Sequence, residues 1–260
     1  MPANYTFIKG TSPIVATAIH DGHQIRTDLL DLFNLTDSER LREEDPFTAR
    51  WLNSFDNRIT VHNSRFEVDV NRPRDKAVYM LPEDAWGLKV WRQKLPDDVA
   101  LASLQVYDDF YSECERYFDN LLTLHEKIIV LDIHSYNYRR DSRDVEADPL
   151  ENPEINIGTK NMDRELWDPV VGTLIEQFRS FDYSGRELDV RENVKFKGGY
   201  FGQWLYERYE NNICPISIEF KKFFMDEWIG EAFEKDILLI DQMVQSSKEP
   251  LLGALERIQV

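Results

Sequence analysis

An α/β fold, with a mostly parallel central sheet flanked by helices, is what this sequence predicts, and three observations predict it. Ile128, Ile129, Val130, Leu131 and Ile133 form a short aliphatic run that stops at His134; such runs mark strands buried on both faces. Comparable apolar runs at 13–19 and 213–220 also place reactive residue types at or near their carboxyl ends. Between them, residues 97–127 carry the longest helical pattern and lead straight into the 128 run, as a helix packed on that sheet should.

The 260 residues suffice for one large domain or two small ones. No repeat, low-complexity tract or linker divides them, so a single domain over residues 1–260 is expected. With 42% hydrophobic and 12% aromatic residues, disorder is excluded despite the 30% charged content. A net charge of −17 argues against nucleic acid and anionic membranes as partners, because phosphate contacts need a basic surface. Cys114 and Cys214 are far apart and fit neither a disulfide framework nor a zinc ribbon; two reduced, buried thiols are expected. The opening MPANYTFIKG lacks the basic start and apolar stretch of a signal peptide, and no apolar run approaches the roughly 18 residues of a membrane span. A cytoplasmic protein is the expectation.

In chain order, the strand at 13–19 ends in His20-Asp21-Gly22-His23. Histidines at i and i+3 can reach one metal ion, or can be two surface residues of a polar loop. A short helix is expected around 28–35. Glu43-Glu44-Asp45 precede Pro46, which keeps the chain extended or turning. This charge run is either a solvated face or the source of an acidic metal ligand, Asp45 or Glu44. Residues 58–63 alternate as a half-buried strand, and 64–74 continue the alternation: Phe66, Val68 and Val70 one way; Arg65, Glu67, Asp69 and Asn71 the other. That segment is an exposed edge strand, or its Asn71-Arg72 end captures a carboxylate.

Residues 82–96, with Trp86, Gly87 and Trp91, suggest an irregular loop or lid. In the helix over 97–127, Leu104, Tyr107, Phe110, Tyr111, Cys114, Phe118 and Leu121 form a wide apolar face, and His125 is a helix-end residue rather than a ligand. A long polar loop follows over 141–161, of the kind that often binds ligands. A helix is expected over 162–178, a strand or turn over 189–200 with Gly198-Gly199, and a closing amphipathic helix over 230–244. Glu219 interrupts the apolar run at 213–220. A buried glutamate is costly unless paired; desolvation raises its pKa towards that of a general base, and Lys221-Lys222 are the alternative partners.

Four segments therefore bring His20/His23, Asn71-Arg72, His134 and Glu219 to strand ends. Metal-assisted amide hydrolysis needs such a set: ligands with an open position, a carboxylate base and a cation for an anionic substrate.

The motifs in order are HDG at 20–22, SRFEVDVNRP at 64–73, LDIHS at 131–135, NIGT at 156–159, FKGGY at 196–200 and IEF at 218–220. With this order and spacing the chain resembles, from about residue 13 to 228, the N-formylglutamate amidohydrolases (N-formylglutamate deformylases), distant relatives of zinc carboxypeptidases and aspartoacylase. The resemblance implies a mixed, mostly parallel sheet of zinc-carboxypeptidase-like (phosphorylase/hydrolase-like) type. It implies one Zn²⁺ ion held by His20 and His134, a substrate carboxylate held by Asn71 and Arg72, and Glu219 as base and proton shuttle. In one respect the chain departs from the wider group, which has a glutamate three residues after its first histidine where this chain has His23. The middle ligand is then Asp45, the preferred choice, or His23 or Glu44.

The expected activity is hydrolysis of a small anionic N-acyl amino acid, N-formyl-L-glutamate giving formate and glutamate. Arg65 would donate to the oxyanion, and Lys197 or Lys221 would meet the side-chain carboxylate. The alternatives are a hydrolase of other N-acyl amino acids or peptides, and a non-catalytic binding protein, which would hold no stoichiometric zinc. Zinc is preferred over iron or manganese on ligand type, and a homo-oligomer stays open.

Overall fold

The computed structural model describes residues 3–258. Its main sheet has seven strands: β1 (Tyr5–Ile8), β2 (Ile14–Ala18), β3 (Asn57–Val61), β4 (Ile128–Tyr136), β5 (Ile155–Gly158), β6 (Val190–Glu192) and β7 (Ile213–Lys221). Their spatial order is β1-β3-β2-β4-β7-β5-β6. Four neighbouring pairs are parallel, β2 with β3, β2 with β4, β4 with β7 and β5 with β6. The β1–β3 and β5–β7 pairs are antiparallel, so the expected mixed, mostly parallel sheet is the one observed.

Among the described residues six helices flank it: α1 (Asp37–Glu43), α2 (Asp97–Leu122), α3 (Asp168–Ser180), α4 (Tyr200–Tyr209), α5 (Glu234–Ser246) and α6 (Lys248–Glu256). Strand periodicity sorts the core onto two faces. Val15, Ile128, Val130 and Ile213 pack with Phe110, Cys114 and Phe118 of α2 and with Phe201 and Leu205 of α4. Their sequence neighbours Ile14, Ala16, Ile129, Leu131, Cys214 and Ile216 face the other way, onto α3, α5 and α6. Every residue of β4 is buried, as its two-sided apolar run requires. Both cysteines are free and buried. No helix among the described residues is long and apolar enough to cross a membrane.

Several elements differ from the sequence expectation. Residues 64–74 form turns, not a strand: after β3 the chain bends at Ser64, whose N–H donates to the Gln24 carbonyl at 2.8 Å, and Glu67 N–H closes back on Ser64 O at 2.9 Å. Buried polar partners hold these residues, so their alternation never becomes a ladder. The helix expected at 28–35 is only a 3₁₀ turn, Thr27–Leu29. The real one is α1, started by the reciprocal Thr36–Glu39 capping box. The 141–161 loop contains β5, whose Asn156 pairs with Glu219 of β7. α3 begins later than expected, with Pro169 in its first turn, where the missing N–H costs nothing. α5 begins after Gly230, which sits at φ +74 in a small hairpin turn between Met225–Asp226 and Glu231–Ala232. His125 lies beyond the end of α2, its Nε2 2.7 Å from the Thr11 carbonyl.

Candidate active site

The strands build the site by their own alternation. Towards their carboxyl ends the positions in line with Val15, Val130 and Ile213 become polar: Thr17 on β2, Asp132 and His134 on β4, Ser217 and Glu219 on β7. One face of the sheet thus passes from hydrocarbon core into a cavity of about 250 Å³ whose wall includes His20, Asp45, Arg65, His134, Glu219 and Lys222.

His134 stands with Nε2 2.9 Å from Asp132 Oδ2 and Nδ1 3.0 Å from Asp45 Oδ2. His20, just beyond β2, repeats the arrangement: Nε2 is 2.7 Å from Asp69 Oδ1 and Nδ1 3.5 Å from Asp45 Oδ2. The hydrogen-bond network assigns the tautomers. Each Nε2–H donates to its own buried aspartate, so both Nδ1 atoms face a third carboxylate, Asp45: as N–H donors when the rings are protonated, as bare lone pairs when a metal ion takes the proton's place. The donor set fits such an ion. One ligand atom each from His20, Asp45 and His134 lies within 4.8 Å of the others, all three residues being buried. A metal-bound histidine characteristically gives its other N–H to a carboxylate, and Asp69 and Asp132 stand where such partners would be.

Local structure fixes these positions. Asp45 N–H donates to the His20 carbonyl at 3.0 Å, and Asp21 accepts from Ala49 N–H at 3.0 Å, so the acidic loop is tied to the turn after β2. Gly22 is needed in that turn, because a Cβ there would lie 2.4 Å from the His62 carbonyl carbon. Thr17 Oγ1 donates to Asp132 Oδ1 at 2.6 Å. Asp69 also accepts from Arg65 at 2.8 Å, from the Asn71 N–H at 2.8 Å and from the Tyr79 hydroxyl.

Charge follows the geometry. Burial alone would raise the Asp45 carboxyl, but hydrogen bonds from His134 and His20, with their charge, hold it well below the usual carboxylate range. Asp69 is likewise held down against burial, chiefly by the Arg65 guanidinium and then His20. Glu219 goes the other way. Burial pushes it up to about 8; the carboxylates of Asp45 and Asp132 add to the rise, and His134 and Arg65 oppose it. It pairs with His134 across the β4–β7 ladder, and its carboxylate takes no hydrogen bond among the described residues.

A protein-family model described as N-formylglutamate amidohydrolase matches residues 12–225. The chain belongs to the N-formylglutamate amidohydrolase family. Comparison with functionally curated proteins finds no match. Among solved structures, the N-formylglutamate amidohydrolase from Ralstonia eutropha JMP134 superposes with a TM-score of 0.76 at 15% identity, over 99% of this chain and 100% of its own. Gene product Atu2144 from Agrobacterium tumefaciens superposes with a TM-score of 0.63 at 18% identity, over 95% and 92%. At these identities the two superpositions establish the fold. A metallo-carboxypeptidase from Burkholderia cenocepacia reaches a TM-score of only 0.34 at 14% identity, over 81% of this chain and 47% of its own, too slight a likeness to carry an argument.

Within this family frame, the other residues singled out from sequence fall on and off the cavity wall. Arg65, Asn71 and Arg72 line it. Asn71 Oδ1 accepts from the Phe201 N–H at 2.9 Å in the first turn of α4, which turns its Nδ2 the other way. Gly199 makes that contact possible: a Cβ there would stand 2.3 Å from Asn71 Oδ1. Arg65 lies 4.9 Å from the Trp86 ring centroid, and Arg72 is 3.9 Å from Asp69.

His23 and Glu44 are elsewhere. They bind each other at 2.5 Å, and Glu44 also accepts from the Ser64 hydroxyl, so neither joins the His20–Asp45–His134 group. Adjacent in sequence, Glu44 and Asp45 point apart in an extended segment. Lys197 is exposed and off the cavity wall, contributing its carbonyl to the Lys160 N–H. Lys221 is also off the wall, its Nζ 3.3 Å from the Asn152 carbonyl.

Of the charged side chains that bear on the site's chemistry, Asp69, Asp132, Arg140 and Lys222 were not site candidates from sequence. Asp132 had a signal, since a residue two before His134 on a strand shares its face. Asp69 had a weaker one, on the polar side of the 64–74 alternation. Nothing in the sequence singled out Arg140, and Lys222 appeared only as a partner for Glu219.

Proposed function

We propose that the protein is a zinc-dependent hydrolase of the amide bond of an N-acyl amino acid, with N-formyl-L-glutamate converted to formate and L-glutamate. The observation that carries this reading is the pair of carboxylate-backed histidines converging on Asp45, with the unbonded Glu219 beside them. His20, Asp45 and His134 would hold the metal. A zinc ion so held would lower the pKa of water and polarise a carbonyl.

The chain's own groups supply the rest. Glu219 takes the proton of the attacking water as the water oxygen bonds to the formyl carbon. It then delivers that proton to the amide nitrogen as the C–N bond breaks, so formate and the free amine leave in balance. Burial raises the basicity of this carboxylate, which suits a group that has to take the water's proton and hold it between the two transfers. Arg65 donates to the developing oxyanion. Arg72 and the Nδ2 of Asn71 hold the α-carboxylate as charge-assisted donors and fix the formyl group against the base.

Glu219→Gln keeps the shape and removes the base. It is expected to lower kcat on N-formyl-L-glutamate by roughly 10²–10⁴-fold with zinc content unchanged. Near-normal turnover by a zinc-loaded Glu219→Gln enzyme would overturn the assignment.

A further inference from the structure

Four basic side chains stand on the cavity wall, and two of them are already matched. Arg65 bonds Asp69 at 2.8 Å, and Arg140 bonds Glu43 through two contacts at 3.1 and 3.0 Å. Arg72 has only a 3.9 Å approach to Asp69, and Lys222 makes no ion pair within 4.0 Å among the described residues. Lys222 is only 1% exposed, and its Nζ donates to the carbonyls of Arg42 and Glu44 at 2.6 and 2.7 Å. An ammonium has three N–H donors and no acceptor. Two neutral carbonyls therefore leave one donor free at the cavity wall, and the carboxylates of Asp45, Glu43 and Glu227 act on the charge only from beyond ion-pair distance. Keeping a buried cation without a counter-ion is costly. A ligand carboxylate would supply both the missing acceptor and a counter-ion in direct contact.

We infer that Lys222 binds a second carboxylate of the substrate and so selects acidic over neutral N-acyl amino acids, Arg72 holding the first; this rests on the amidohydrolase reading above. It moves the side-chain contact from Lys197 and Lys221 to Lys222. The strand explains the change. β7 ends at Lys221, and Phe223 N–H turns back onto the Lys221 carbonyl at 2.6 Å. Lys222 thereby reaches the loop that carries Asp45, while Lys221 leans over the Tyr138 ring. The competing role for Lys222 is to staple that loop through its two carbonyl bonds, with no part in selectivity.

The test compares wild type and Lys222→Met, zinc-loaded, on N-formyl-L-glutamate and on its neutral near-isostere N-formyl-L-glutamine. Wild type should favour the glutamate substrate at least 10-fold in kcat/KM, and Lys222→Met should reduce that ratio by about 10-fold or more. An equal fall on both substrates assigns Lys222 to the loop alone and overturns the inference. So does a wild type that cleaves both equally, which leaves the amidohydrolase reading standing. A binding arm needs no turnover and no folded variant: wild-type thermal shifts with glutarate against butyrate. Stronger stabilisation by the dianion supports a two-carboxylate site even if the hydrolysis assay fails, an outcome that would sink the activity instead; equal shifts count against Lys222.

Discussion

Asp132 and His134 are two apart on β4, and their side chains meet at 2.9 Å because a strand repeats every second residue. The value of that contact lies in what it denies the imidazole. With Nε2–H committed to Asp132, the ring cannot rotate, and Nδ1 is left as the atom offered to a metal. Asp132→Asn keeps the volume but replaces a charged acceptor with an amide that has to choose between Thr17 and His134. Zinc affinity should fall by roughly 10–100-fold, read by competition with a chromophoric chelator. An unchanged affinity would mean that Asp132 does not hold the ring. This pair was legible in the sequence in principle, since spacing alone places the two side chains on one face. The equivalent partner of His20 was not, because Asp69 is 49 positions away and lies in a turn.

Among the elements, the two faces of the sheet have separate jobs, and mutations should separate them. α3 packs Val170, Val171, Leu174 and Phe178 onto the face opposite α2. Leu174 is fully buried there and is not part of the cavity wall. Leu174→Ala should cost about 2–5 kcal/mol through lost burial and a residual cavity, seen in urea denaturation, while KM for the substrate stays the same. A variant with normal stability, or one with shifted KM, would contradict that division. Long periodic elements such as α2 and β4 were evident from sequence because their own residues carry the pattern. The short ones were not: α1 rests on a capping box, and β5 on pairing with β7 inside a polar loop. In the 64–74 segment the alternation was genuine but described a buried polar network, where a period of two carries no information about a ladder.

At the level of the whole molecule, the site is a concentration of charge within a strongly acidic chain. Asp45, Asp69 and Asp132 are all buried near the same two histidines. A bound cation should therefore act as part of the fold. Removal of the metal with a chelator should lower the melting temperature, and added Zn²⁺ should restore it. A ligand at about 100 times its Kd stabilises by about 2.7 kcal/mol, so a shift of several degrees is expected by differential scanning fluorimetry. No shift in either direction would count against a metal in this cluster.

The sequence by itself determined the layers and the ends: apolar runs specify buried strands, helical periodicity specifies what covers them, and the ordered motifs specify the family. It also nominated the strand ends as a candidate site, and His20, His134 and Glu219 line one cavity there. Only the tertiary structure decided which of two near neighbours lines the cavity. Asp45 or Glu44, Lys222 or Lys221, and His20 or His23 differ by one to three positions, and no periodicity separates them outside regular elements. Their choice is made by long-range contacts: Glu44 is claimed by His23 and Ser64, and Lys222 by the carbonyls of the acidic loop. Local pattern encodes which face of a strand a residue takes; in turns and loops, its direction is set by whichever distant partner satisfies its buried charge.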